Sequence, residues 1–496
     1  MTDVQHHIIA KQTLDLELFA TESEAWALQQ ALPQLLAGEV SIAIEKVLNR
    51  YSKLGEHIKL DYLEINLGEL SLLGLEHNLS QQVEYCLERA LREKISSLAT
   101  SNMISSEYQN EALGMTVQTQ QQSLFAAFIY FLSTGRLPWS FKLAENKSLE
   151  QMLLETDQTF LPNQNIHVEI KALLNNESVC QRLVYQFSNT FLQRLLVVLL
   201  PNSELVIIKI YAQLQQLEIA TPDKKTLSRH FWLIVLRAVP SRDVLTFETL
   251  LQGIAAQLIT NDHFRSLSKH TIDLMTVVFN QYDIALKPFE PVTINTEVKS
   301  ESTATANTKT LMEYSLAKSL EKVDEQSQDV NETIYIDVSG LVLLHPFLPQ
   351  FFKTLNIIVD DEIVQPARAV CLLHYLCTGQ PSPAEHALVL AKIVCGIALS
   401  YPVAMDFEPT TEEVNQTESL LNAVISHWHV LQSTSIDGLR GTFLIRNGKL
   451  TLNQDASWQL KVESKGFDIL MDSLPWSISM IQLPWMRHML FVEWTN

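Results

Sequence analysis

Apolar and polar positions alternate near the start of the chain, where Leu14, Leu16 and Leu18 are separated by Asp15 and Glu17. That two-residue period predicts a strand with one wet face. Thr21 with Glu24 three residues on is a capping-box pair. The period then turns helical through Trp26, Leu28, Leu32, Leu35 and Leu36, with Pro33 inside as a kink position. A second strand pattern follows at Ile58 and Leu60, then Leu63, Ile65 and Leu67, and the phase shift near Tyr62 predicts a bulge. Gly68 ends it. A helix from about Glu76 to Ser97 then presents Leu79, Val83, Leu87, Ala90 and Leu91 on one face. Residues 1–100 therefore read as a strand–helix–strand–helix α/β module whose strands can share a sheet.

Residues 101–121 are polar and read as a linker. From 122 to 288 the pattern is almost wholly helical, opening with Phe125, Phe128, Ile129 and Leu132 on one face and stopping at Gly135-Arg136-Leu137-Pro138-Trp139. Further helices are predicted at 146–156, 178–200, 203–217, 226–239, 242–259 and 267–283. Their short connections imply antiparallel neighbours, and no fixed period marks a solenoid. Residues 289–333 read as a Ser/Thr-rich flexible linker with a short helix near Leu311–Leu320, and no Trp or Phe occurs from Pro291 to Thr333. Residues 334–496 form a C-terminal domain, helical first and strand-rich at its end. The predicted fold class is mainly α with α+β ends.

The last residues are unusually apolar. Leu474-Pro475-Trp476 recurs as Leu483-Pro484-Trp485, and Phe491-Val492-Glu493-Trp494 almost closes the chain. Termini usually fray, so this tail must be docked or it becomes a sticky surface. Trp476, Ile478 and Met480 alternate with Ser477 and Ser479 like a half-buried strand, with the prolines at strand starts or edges. Trp476, Trp485, Phe491 and Trp494 either fill the C-terminal core or anchor a partner interface.

Composition narrows the function. A hydrophobic share of 47% with 19% charged residues is that of a globular protein. A net charge of −20 argues against nucleic acid and against anionic membrane surfaces as partners. The five cysteines are odd in number and scattered, which suits reduced core thiols in a cytoplasmic protein. No signal-peptide pattern opens the chain. The apolar run Leu195 to Leu200 stops at Pro201, far short of the roughly 18 residues a membrane span needs.

Candidate chemistry is sparse. Cys371, His374 and Cys377, with His386 and Cys395 nearby, offer metal-ligating atoms, but a continuous helix turns Cys377 roughly 120° away from Cys371. They read as core, and no metal or cofactor is expected. Gly441 to Gly448-Lys449-Leu450 has the wrong spacing for a phosphate loop. Asp360-Asp361-Glu362 reads as a solvated turn, although acids of this kind can also form half of a hydrolase site. His427-Trp428-His429 closes a helix that begins near Thr411. With neither a Gly-x-Ser-x-Gly elbow nor a His-Glu-x-x-His pair, the chain does not read as an enzyme.

Several stretches, in order along the chain, resemble the tape measure protein family of extracellular contractile injection systems, the phage-tail-like particles of the antifeeding-prophage type. They are His7-Ile8-Ile9-Ala10-Lys11-Gln12-Thr13-Leu14-Asp15-Leu16, Gly55-Glu56-His57-Ile58-Lys59-Leu60-Asp61 with Leu63 to Gly68, and Gly135 to Trp139. The series continues with Leu343-Leu344-His345-Pro346-Phe347-Leu348-Pro349, His374-Tyr375-Leu376 with Thr378-Gly379, and Glu385-His386. It closes with His427-Trp428, Thr434 to Arg440, both Leu-Pro-Trp elements and Phe491 to Trp494. The resemblance implies a structural role in setting inner-tube length and in baseplate and tube assembly. It also implies the inner tube protein, the baseplate hub and spike, and a tube terminator as partners. The chain would be made in the cytoplasm and then lie inside the extracellular particle. A compact assembly chaperone or scaffold, absent from the mature particle, is the alternative reading.

Overall fold

The structure is a computed structural model describing residues 7–9, 12–52, 56–71, 75–101, 115–144, 146–156, 164–216, 218, 221–241 and 333–494. The chain divides into two compact units, Met1–Ala126 with Ser140–Lys142, and Ala127–Trp139 with Leu143–Asn496. As the sequence pattern predicts, it is mainly helical with strands towards both ends.

In the first unit, α1 (Glu22–Leu35) opens on the predicted capping box, with the Thr21 N–H donating to Glu24 Oε2 at 2.8 Å. Pro33 lies inside α1. The chain passes through a π-turn, Leu36–Val40, where Gly38 leaves helical geometry, and continues as α2 (Ser41–Tyr51). Against α2 packs α3 (Leu75–Ser101), whose predicted face is buried as two small clusters, Leu79 and Val83 with Val40, and Leu87 and Leu91 with Val47. Strand β1 (Glu56–Leu60) pairs antiparallel with β2 (Met115–Thr119).

Three local departures from the sequence reading have physical causes. Leu14, Leu16 and Leu18 form no strand, because none of the described strands pairs with them. The pattern at Leu63, Ile65 and Leu67 is met by packing onto α2 and α3 rather than by a ladder, while Glu64 and Asn66 face outward. Side chains accept the role of neighbour there, with the Gln82 amide donating to Leu67 O and the Lys94 ammonium to Tyr62 O, both at 3.0 Å. Strand β2 comes from the polar segment read as a linker, and β1 supplies its whole ladder.

Helix α4 (Gln120–Thr134) begins in the first unit and continues into the second from Ala127, ending at Gly135, whose φ of +74° is the left-handed cap geometry that glycine favours. Then follow α5 (Leu149–Glu155), α6 (Gln164–Leu173), α7 (Glu177–Gln186), α8 (Asn189–Leu199), α9 (Glu204–Gln215) and α10 (Thr221–Ala238). The single helix predicted over 178–200 is two, broken where the Ser188 hydroxyl accepts the Phe191 N–H and starts α8. The helices predicted at 242–259 and 267–283, and the linker up to residue 332, lie outside the described residues.

The C-terminal part centres on a five-stranded sheet. Its strands are β3 (Thr333–Ile336), β6 (Gly448–Leu452), β7 (Trp458–Val462), β8 (Met480–Ile481) and β9 (Leu490–Glu493), in the order β3-β6-β7-β9-β8. All neighbours are antiparallel except β7 and β9. Leu450, Leu460 and Leu490 are fully buried on it, in one core cluster that also takes in residues of the helices Leu348–Thr354, Pro366–Thr378 and Thr411–His427. A 3₁₀ segment, Ser339–Phe347, runs so close that a Cβ on Gly340 would fall 1.8 Å from Phe443 O. The strand predicted through Trp476 shrinks to β8. Trp476 and Ile478 are half-buried, but Ile481 rather than Met480 faces the core.

Candidate functional site: a buried ion network and the aromatic tail

The chemistry-bearing groups gather inside the second unit. Helix α7 is covered on nearly all sides, so its arginine has no route to water. Arg182 is wholly buried, and its Nε donates to Glu385 Oε2 at 3.0 Å, Nη1 to Leu132 O at 2.5 Å and Nη2 to Ser400 O at 2.6 Å. Lys392 Nζ donates to Glu385 Oε1 at 2.9 Å and to Leu399 O at 2.8 Å. Gln186 completes the seam, its Oε1 accepting the Glu385 N–H at 3.0 Å and its Nε2 donating to Val403 O at 2.5 Å. The turn after α4 leans on the same carboxylate, for a Cβ on Gly135 would lie 2.3 Å from Glu385 Oε1. One carboxylate thus faces two cations, and backbone carbonyls meet further donors of both, the condition under which buried charges are tolerated. Both carboxylate oxygens are engaged and Glu385 has no exposed surface, so the group holds segments together instead of meeting a substrate.

Two further charge groups reinforce this. Asp406 takes Lys225 at 2.8 Å and Arg229 at 2.6 Å, tying it to α10. Burial would raise its carboxyl, but the two cations outweigh burial and bring it down to about 2. Arg446 meets Asp468 at 2.7 and 2.8 Å, and both are buried. Burial works against the Asp468 carboxylate too, yet Arg446 and the Lys465 N–H hold it below its usual value. The rings of Phe467 and Trp494 lie 5.2 and 5.3 Å from the Arg446 guanidinium carbon, within cation–π range.

The four aromatic residues singled out from sequence sit around this core. The Trp476 indole donates to Leu343 O at 3.1 Å and meets the Phe347 ring edge-on. The Trp485 indole donates to Val394 O at 2.9 Å and lies 5.4 Å from the Phe352 ring centre. Phe491 stands in β9 opposite Gln459 and Met480. Trp494 covers Arg446. All four are half-buried, each keeping an outer portion towards solvent.

The other candidates are dispersed or inert. Burial pushes the Cys371 and Cys377 thiols up to about 12 and Cys395 well above the ordinary value. It drives His374 down to about 4. Thiols that keep their protons are poor nucleophiles and poor ligands. Among the described residues, no three His, Cys, Asp or Glu side chains come together as a metal would require. Asp360 and Asp361 are the two central residues of the hairpin joining β4 (Ile358–Val359) to β5 (Glu362–Ile363), with φ of +48° and +61°. Asp suits such a turn. Trp428 is wholly buried and donates to Leu470 O at 3.2 Å, while His427 Nδ1 donates to Ala423 O. No described helix is long and apolar enough to cross a membrane.

Sequence reasoning picked out Glu385 only within a stretch of family resemblance, and did not find its ion network with Arg182 and Lys392 or the pair of Arg446 with Asp468. A signal existed for Lys392, the only charge in the apolar run Ala387 to Ser400. None existed for the pairing of Glu385 with Arg182 on α7, 203 residues away in sequence.

No curated protein and no solved structure matches the chain. The family described as contractile injection system tape measure protein matches residues 6–494, and so takes in both units, the ion network and the aromatic tail. The chain belongs to the contractile injection system tape measure protein family.

Proposed function

We propose that this chain helps set inner-tube length while its second unit stays folded. Membership of the family gives it a structural and assembly role. The proposed partners are the inner tube protein, the baseplate hub and spike, and the tube terminator. The proposed place of action is the interior of the particle, after synthesis in the cytoplasm of the producing cell. The role needs no catalytic step.

One observation carries the folded-unit part of this reading, the sealed contact of Glu385 with both Arg182 and Lys392. Pulling α7 away would leave unpaired charges inside the protein, and a broken buried pair costs about 3–5 kcal/mol. A ruler formed by opening the helical stretch 122–288 into a rod would have to meet that cost, together with the loss of the surrounding core. In the proposed role α4 to α10 do not lengthen.

The test compares particles from a deletion strain with particles from a strain carrying a helical insertion between α9 and α10. Deletion should abolish tubes or their uniform length, and the insertion should leave length unchanged. Limited proteolysis of the insertion variant checks that it still folds. Tubes that lengthen in proportion to the insertion would make the helical stretch the ruler and overturn this proposal.

A further inference from the structure

Residues 12–32 are built unlike the other described residues of the first unit. Residues 12–19 form neither helix nor strand, and among them Leu14 alone is half-buried. Leu16 and Leu18 are 46% and 36% exposed, Phe19 is 99% exposed, and Trp26 on α1 is 61% exposed. Helix α1 buries only Leu35 fully. Leu16, Leu18, Phe19 and Trp26 thus put four large exposed apolar side chains within eleven residues of chain, and a dense run of exposed apolar residues marks a contact surface.

Charge says what kind of surface would cover this face. Residues 12–45 contain Asp15, Glu17, Glu22, Glu24, Glu39 and Glu45 and no lysine or arginine. Glu24 is occupied in the capping box of α1, while Asp15, Glu17 and Glu22 are exposed beside the apolar residues. A second copy would bring the same carboxylates opposite these, which is repulsive at close range. Phosphate-rich partners are disfavoured for the same reason.

We propose that residues 12–32 are a docking arm whose partner is a protein cleft lined with apolar side chains and flanked by lysine or arginine. Phe19 and Trp26 supply the apolar anchors. Asp15, Glu17 and Glu22 orient the arm and repel acidic surfaces. The proposal does not depend on which component of the particle carries the cleft, so it stands or falls separately from the length-setting role.

The test uses the purified full chain with two labelled peptides, one alternating Leu with Lys and one alternating Leu with Glu. The basic peptide should bind and the acidic one should not. Asp15→Lys with Glu17→Lys should weaken binding at least about tenfold. Phe19→Ser with Trp26→Ser should weaken it comparably, although every charge remains. Ile42→Ser, an exposed change on α2, should have no effect. The proposal is overturned if neither peptide binds, if both bind equally, or if removing the two aromatic residues leaves affinity unchanged. It is also overturned if the chain sediments as a dimer that Phe19→Ser with Trp26→Ser dissociates, for the face then belongs to a second copy.

Discussion

Among the described residues, the first unit is held by two small clusters and surface charges, whereas the second contains a large core cluster over residues 334–492 and ions sealed away from water. In the first, Val40, Leu79 and Val83 form one cluster and Val47, Leu87 and Leu91 the other. The ion pairs between α2 and α3, Lys46 and Arg50 with Glu84 and Glu88, are open to water, and such pairs are worth about 0–1 kcal/mol. In the second, Arg182, Glu385, Lys392 and Arg446 are almost wholly removed from water. The same residue types therefore do different work. Charge on the surface tunes α2 against α3 weakly, while charge in the interior makes separation of α7 from the segment 385–403 costly. A unit meant to stay folded suits the second design, and an arm meant to find a partner suits the first.

The largest effect should come from breaking the sealed network. Glu385→Ala strands Arg182 and Lys392 and should cost about 3–5 kcal/mol, read as a lower denaturant midpoint for the second unit. Replacing all three residues together with Leu or Met should cost much less, because no buried charge is left over. Equal losses in the two variants would mean that packing, not charge, dominates this seam.

The aromatic tail sharpens the comparison. Trp485→Ala removes a half-buried ring against Phe352 and an indole bond to Val394 O. It should cost about 3 kcal/mol by analogy with other large-to-small changes. A chain that keeps its stability but loses assembly in cells would instead make Trp485 a partner contact.

Acid should act on the second unit through His374. Its folded pKa is about 4 because burial disfavours the imidazolium, against an ordinary value of 6.5. Below 6.5 the unfolded chain takes up a proton that the folded chain refuses, so stability falls as pH drops from about 6.5 to 4. The loss should approach about 2–3 kcal/mol, and His374→Leu should flatten that slope. Asp406 adds loss in the same direction at lower pH, between its ordinary 3.8 and about 2. A pH-independent unfolding midpoint across this range would contradict the assignment.

The smallest effects belong to the first unit. Val47→Ala should cost about 1–2 kcal/mol, and Arg50→Ala less than about 1 kcal/mol, with the second unit's transition unchanged in both. A shift of both transitions by either variant would erase the contrast drawn here.

What the sequence made legible was local. The Thr21–Glu24 capping box, the buried face of α3 from Leu79 to Leu91, and the stop at Gly135 all follow from spacing alone. What stayed hidden depended on distant partners. Leu14 to Leu18 carries a strand pattern but finds no described ladder, and a strand without a neighbour is not a strand. Met115–Thr119 lacks a strong pattern yet becomes β2, because β1 meets it in register. The Arg182–Glu385–Lys392 group could not be assembled from sequence, since neither period nor spacing connects α7 with the turn at Glu385.

Hydrogen exchange on the full chain, native and Glu385→Ala, tests the central claim most directly. In the native chain α7 and residues 385–403 should exchange slowly and at one common rate, while residues 12–19 exchange freely. In Glu385→Ala, α7 and 385–403 should lose protection together. Fast exchange of α7 in the native chain while 385–403 stays protected would contradict the account, because the two would then not be one folded body.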